Sequence, residues 1–262
     1  PVKNAYYQLI NNNVLSLDAM AAENASDIEK QIYRAYTASR DQILTNIRNE
    51  LLSDHASNIN DLPKDMASYM NYIYSFLSSD SCGIVLPDKI DQNSAPYQSW
   101  KAGTVSLRDY IYSGIAASWV DTTKLDSTSK YSNADDIYIQ LVDYIITRLQ
   151  DDKRFTKRMF RYLINDNVIP GNWLCLALFS QGVLKNDPQA RAGLAMGDSA
   201  YTYNFIKSKI SNLELTPAQL ALDPCTAGCV VTDVRTGEIR ALVSYPSYDN
   251  NRMSGSVDAA YF

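Results

Sequence analysis

Ser127-Thr128-Ser129-Lys130 spells an acyl-transfer device: a serine hydroxyl and, one helical turn on, a lysine amine that could take its proton. Such a lysine must be desolvated, so that its pKa falls and the neutral amine can act as base. Here the four residues lie in a polar stretch, 122–133, not at the start of an apolar helix. Asp121, Asp126 and Asp135 nearby would raise the Lys130 pKa, not lower it. Cys225 and Cys229 have the spacing of a zinc half-site or a short-loop disulfide. A tetrahedral zinc needs two further ligands, and His55 is the only histidine. The simpler reading is a pair of small buried thiols at the entry to a strand. His55 reads as a surface residue near a helix end, with no partnered Ser or Cys to give it a catalytic role. Asp151-Asp152 reads as a loop and the acidic run 233–238 as a turn. No catalytic, cofactor-binding or metal-ligating residue is therefore assigned.

The elements that would carry any such group are mostly helical. The chain has 262 residues, enough for one large core or two moderate ones, and its 46% hydrophobic and 20% charged residues are those of a folded protein. Only 10 Gly and 9 Pro argue against long linkers and a turn-rich fold. A net charge of -5 and a pI near 4.9 argue against nucleic acid, which asks for clustered Lys and Arg. No apolar run approaches the roughly 20 residues that span a bilayer. The abrupt start at Pro1 and end at Phe262 suggest a piece of a longer protein.

Residues 2–10 form a short amphipathic piece. Ser26 and Glu29 make a capping box, after which Ile28, Ile32, Ala35, Ile43, Ile47 and Leu51 recur at helical spacing to about Leu52. Pro63 opens a helix with Met66, Met70, Ile73 and Leu77 on one stripe. Residues 83–104, with Pro87 and Pro96, read as a long connection with an internal turn. Ser106 caps a helix carrying Leu107, Tyr110, Ile111 and Trp119. Another starts at 132–135 and points Ile137, Leu141, Tyr144, Ile145 and Leu149 inward. Further helices are predicted at 154–165, at 172–181 with Gly182 as the stop, and at 199–211. Pro188 after Asp187 and Pro217 after Thr216 occupy first helical positions. The 19 tyrosines, among them Tyr33, Tyr36, Tyr69, Tyr72, Tyr74, Tyr110, Tyr112, Tyr138 and Tyr144, could line a sugar- or protein-binding surface. The reading preferred here places them at the rim of the cores, rings in and hydroxyls out.

The pattern changes after Thr216. Two apolar runs, 229–234 and 239–245, flank Arg235-Thr236-Gly237-Glu238, which reads as a β-hairpin with Gly237 free to turn left-handed. Val230 and Val234 oppose Val231, and Ile239, Ala241 and Val243 oppose Leu242, so both faces are apolar. Such strands belong in a sheet covered on both sides. The fold expected is thus mostly α, a multi-helix domain, 1–215, followed by a region, 216–262, whose hairpin needs partner strands.

Asp233–Asn251 resembles the opening hairpin of the transpeptidase domain of class B penicillin-binding proteins. It shares their Asp-x-x-Thr-Gly-Glu-Ile turn, a Leu-Val-Ser second strand and the exit Pro246-Ser247-Tyr248-Asp249. Arg240 departs from the pattern, standing where the family has an apolar residue. The helical remainder is similar to the large helical segment that clostridial-type members place before this hairpin. The resemblance implies that the hairpin begins an α+β transpeptidase domain, 216–262, and that the parent is a peptidoglycan D,D-transpeptidase anchored outside the cytoplasmic membrane. In such an enzyme a serine is acylated by D-Ala-D-Ala stem peptides and mimicked by β-lactams, with no cofactor or metal. It also implies that residues 2–10 could lead into the hairpin, making 11–224 an insertion. Arg235-Thr236-Gly237 is similar in letters to the family's Lys-Thr-Gly, yet sits in the first turn, and no Ser-x-Asn occurs. The family's nucleophile lies after the point where this chain ends, so the 262 residues are expected to be a non-catalytic part of the enzyme. The helical domain is then a scaffold for stem-peptide chemistry elsewhere or for cell-wall synthesis proteins. The rival expectation is a self-contained helical interaction module.

Overall fold

A computed structural model describes residues 2–125, 133–222 and 227–245. Among them are eleven α-helices: α1 (Val2–Asn11), α2 (Leu17–Ala21), α3 (Asp27–Leu52), α4 (Lys64–Leu77), α5 (Ala95–Ala102), α6 (Leu107–Ala116), α7 (Ala134–Asp151), α8 (Lys153–Asn165), α9 (Gly171–Ser180), α10 (Pro188–Ala195) and α11 (Ser199–Ser211). Two strands, β1 (Ala227–Thr232) and β2 (Ile239–Tyr245), pair antiparallel. The molecule is mostly α with one small hairpin. It divides into two compact units, the first ending at Phe205 and the second beginning at Ile206.

In the first unit α3 is the axis, touching α2, α4, α6, α7, α8 and α9. Its buried stripe is Ile32, Tyr36, Leu44, Ile47 and Leu51, with Ile28, Ala35 and Ile43 only half-buried at its margins. The helix starts where the sequence predicts. Glu29 reaches back to the Ser26 amide at 2.9 Å while the Ser26 side chain accepts from the first turn, so two orphan N–H groups of the helix start are satisfied. Asn133 and Asp136 form the same box at the head of α7, one residue later than Ser132. On α7, Leu141, Ile145 and Leu149 point inward together with Tyr138 and Val142, while Ile137 and Tyr144 stay half-exposed. On α4 the stripe is Tyr69, Met70, Ile73 and Leu77. α1 packs on α8 and α9, where its Tyr6 ring lies so close to Gly171 that a Cβ there would fall 2.3 Å from the ring. Gly182, with φ of 70°, ends the turn after α9.

Several expectations are corrected. Residues 83–104 are not merely a connection, because α5 lies within them. Pro96 sits in the first turn of that helix, where no amide partner is needed, and Gly103 ends it with φ of 71°. The gain that fixes α5 is tertiary: Trp100 stacks on Tyr110 at 5.0 Å, and Tyr74 and Trp119 close the cluster. Trp119 itself is outside α6. The chain turns at Ser118, φ 59°, and Leu86 N–H bonds to Trp119 O at 2.9 Å beside a bridge between Val85 and Val120. Pro217 opens only a 3-10 turn (Ala218–Leu220), not a helix, and Ala221 with φ of 46° ends it. α2 was not expected at all.

The tyrosines are corrected as well. Tyr36, Tyr69, Tyr110 and Tyr138 are buried whole, not at a rim. Tyr138 donates to Leu51 O at 2.9 Å and Tyr36 shares a 3.1 Å bond with Thr156, whereas the Tyr69 hydroxyl has no partner among the described residues. Burial pushes the phenols of Tyr69 and Tyr138 far up from their usual range.

In the second unit, Lys209 pairs with Glu214 at 2.8 Å across the end of α11, and Thr216 and Gln219 cap the short turn that follows. Leu215 and Leu220 are buried. The hairpin has the register Val230↔Leu242 and Val231↔Ala241, then slips so that Thr232 faces Ile239.

Candidate functional site

The turn of the hairpin is built by one carboxylate. Asp233 Oδ1 accepts from the amides of Arg235, at 2.9 Å, and Thr236, at 3.3 Å, while Asp233 O accepts from Gly237 N at 2.8 Å. Those two amides, with the Arg240 guanidinium, hold the Asp233 carboxyl below its ordinary range. Gly237 takes φ of 76°, the left-handed value predicted from its place before Glu238. Arg235-Thr236-Gly237 is therefore turn, with no strand position beside a site. β1 ends at Thr232, two residues before the expected boundary, because Asp233 turns the chain, and Val234 is left 97% exposed in the turn. Arg240 falls at the register slip and reaches Asp233 at 3.3 Å and Glu238 at 3.0 Å, so its side chain serves the turn.

Away from the turn both faces of the hairpin are apolar and open. Val230, Leu242, Val231 and Val243 are all exposed. Cys229 is exposed too, opposite Val243, and so is not the buried thiol expected. Cys225, Ser127, Lys130 and the exit 246–251 lie outside the described residues.

The remaining candidates are structural. His55 is exposed in the connection after α3. Asp152 caps α8, accepting from Arg154 N at 2.7 Å and Phe155 N at 3.1 Å, and takes the Tyr72 hydroxyl at 2.6 Å. Cys175 is fully buried, and burial pushes its thiol up, which makes it inert. Among the described residues no group of three His, Cys, Asp or Glu side chains is gathered as a metal would need.

A cleft of about 600 Å³ opens in the first unit between the α1–α2 connection, α3 and α8. Tyr33 and Tyr36 form an aromatic wall 6.0 Å apart, and Arg40, Lys153, Asp18 and Asp151 bring charge of both signs. Neither a histidine nor a cysteine lines it, and Ser16 Oγ is engaged as the cap of α2 at 3.2 Å. The lining offers a polar ligand charged partners of both signs beside the half-buried Tyr33 ring.

No family model matches the chain, and no curated protein or solved structure matches it either. The residues themselves carry the reading. The apposition of Tyr33 and Tyr36 on α3 with Lys153 and Lys157 on α8 is not read from the sequence, because nothing in the local pattern encodes it.

Proposed function

We propose that this chain is the helical domain and first transpeptidase hairpin of a class B penicillin-binding protein, a peptidoglycan D,D-transpeptidase of the serine acyl-transfer type. The observation that carries the proposal is the hairpin: an Asp-capped Thr-Gly-Glu turn joined to strands whose two apolar faces are both open. Strands of that kind stabilise a protein only when covered on both sides, as the leading hairpin of a layered transpeptidase sheet would be. The helical unit then acts as a scaffold or interaction domain, with the tyrosine-walled cleft as its polar recess. Bacterial cell-wall cross-linking would take place on a part of the enzyme that these residues do not include.

The coding sequence after Phe262 tests this directly. A Ser-x-x-Lys within some tens of codons, then Ser-x-Asn and Lys-Thr-Gly, is the expected result; a stop codon would favour the self-contained helical module. The chemistry gives a second test. Residues 1–262 incubated with a fluorescent penicillin should gain no covalent mass, whereas the chain extended through its transpeptidase should gain one penicilloyl group. If residues 1–262 label and Ser127→Ala abolishes it, the acylated serine is Ser127 instead.

A further inference from the structure

α8 carries Lys153, Arg154, Lys157, Arg158 and Arg161, and no acidic residue among its 13 positions. At 3.6 residues per turn these five cations fall within an arc of about 140°. The opposite arc holds Phe155, Thr156, Met159, Phe160 and Leu163, buried in the core. The apolar side is therefore already used, and what α8 offers to solvent is Lys153, Arg154 and Arg161, with Lys157 and Arg158 half-buried beside them and Ile164 buried within the same arc.

Two features separate this face from ordinary solvated charge. First, Lys153 and Arg154 stand in the first turn and Asp166 is the C-cap, both placed against the helix dipole, with the Asp152 cap as the counterweight. Second, the cations are not neutralised. Among the described residues only Lys153 has a carboxylate within 4 Å, Asp18 at 3.5 Å, and both of those side chains are more than four-fifths exposed. The others are held by neutral groups: Lys157 by Asn11 O at 2.7 Å, Arg158 by Ser68 Oγ at 2.6 Å and the Tyr72 ring, Arg161 over the Tyr7 ring at 5.9 Å. Neutral partners orient a cation and leave its charge available.

We infer that this face docks the protein, peripherally, on an anionic phospholipid surface. The charge distribution selects the occupant. The chain carries -5 overall, so -10 once these five cations are set aside. A long flexible polyanion that wrapped the molecule would meet that acidic remainder, whereas a plane touched by one helix face meets only the patch. The contact is made by charge, so it is electrostatic and reversible. It needs no part of the transpeptidase reading.

The test uses the 262-residue chain and sedimentation with vesicles of phosphatidylcholine alone, or with about 30% phosphatidylglycerol to set the surface charge. Binding to the anionic vesicles only, weakening as salt is raised, is expected. Each exposed cation neutralised should weaken binding about fivefold, so Arg154→Gln with Arg161→Gln should lose about 25-fold. Lys101→Gln with Lys185→Gln, exposed sites elsewhere with the same change in net charge, should leave binding unchanged. Helical circular dichroism of both double variants confirms that they are folded. Equal binding to neutral vesicles, no binding to anionic ones, or equal loss in the two double variants overturns the inference. So does binding to heparin in solution without binding to vesicles, which would make the partner a soluble polyanion.

Discussion

Gln181 Nε2 donates to Glu29 Oε1 at 3.0 Å, joining the C-cap of α9 to the first turn of α3. The same amide group accepts from Ser16 N at 2.7 Å and donates to Ser16 O at 3.0 Å, so one side chain ties together the starts of α2 and α3 and the end of α9. Glu29 is 5% exposed. Burial by itself would raise its pKa, but the hydrogen bonds from the Ser26 hydroxyl and amide and from Gln181 outweigh it and hold the carboxyl below the ordinary value.

A folded pKa below the unfolded one means that Glu29 stabilises the fold above about pH 4.3 and stops doing so as pH falls through the lowered folded value. Gln181→Ala should therefore cost about 1–2 kcal/mol at neutral pH. The difference from the parent chain should shrink as the pH is lowered through that window. Urea unfolding at neutral and acid pH measures both. Equal stability of variant and parent at neutral pH would remove Gln181 from its place as the tie.

Two buried tyrosines should answer the same substitution differently. Tyr138→Phe leaves Leu51 O at the end of α3 without its 2.9 Å donor, and about 1–2 kcal/mol should be lost. The Tyr69 hydroxyl is buried with no partner among the described residues, so Tyr69→Phe should fall within about 0.5 kcal/mol of the parent or stabilise it. Chemical denaturation of the two variants in parallel decides it. A Tyr69→Phe loss as large as that of Tyr138→Phe would mean that the hydroxyl is satisfied in solution.

The hairpin should be the weak point of these 262 residues. Leu242 is 72% and Val230 59% exposed as a cross-strand pair, and a lone two-stranded ribbon is marginal in water. Amide hydrogen exchange at Val231 and Leu242 should be fast beside that of Ile32 or Ile145. Replacing Val230 and Leu242 together by Thr should leave the melting of the helices in place while reducing self-association in sedimentation velocity. Strong protection of Val231 and Leu242 in a dilute monomer would show that something covers the strands.

What the sequence determined by itself is what short-range chemistry decides. The side chains of Ser26, Glu29 and Ser106 act on amides within a few residues and Gly237 admits a left-handed φ, so they announced helix starts and a turn without any knowledge of partners. Apolar spacing likewise gave the inward faces of α3, α4 and α7, because a helix brings those positions together whatever it packs against. Tertiary structure decided the rest. α5 exists because Trp100 finds Tyr110, and a proline at 96 looked like a break until the helix began just before it. Tyr69 is drawn fully inside by Phe155 and Tyr162 of α8, and Tyr138 by Leu51 of α3 and Tyr112 of α6, although a tyrosine alone favours a rim. Glu29 meets Gln181, and Tyr36 meets Thr156, across more than a hundred residues. Such contacts depend on how helices cross, and a crossing is set by the sum of many packed side chains, which no local pattern contains.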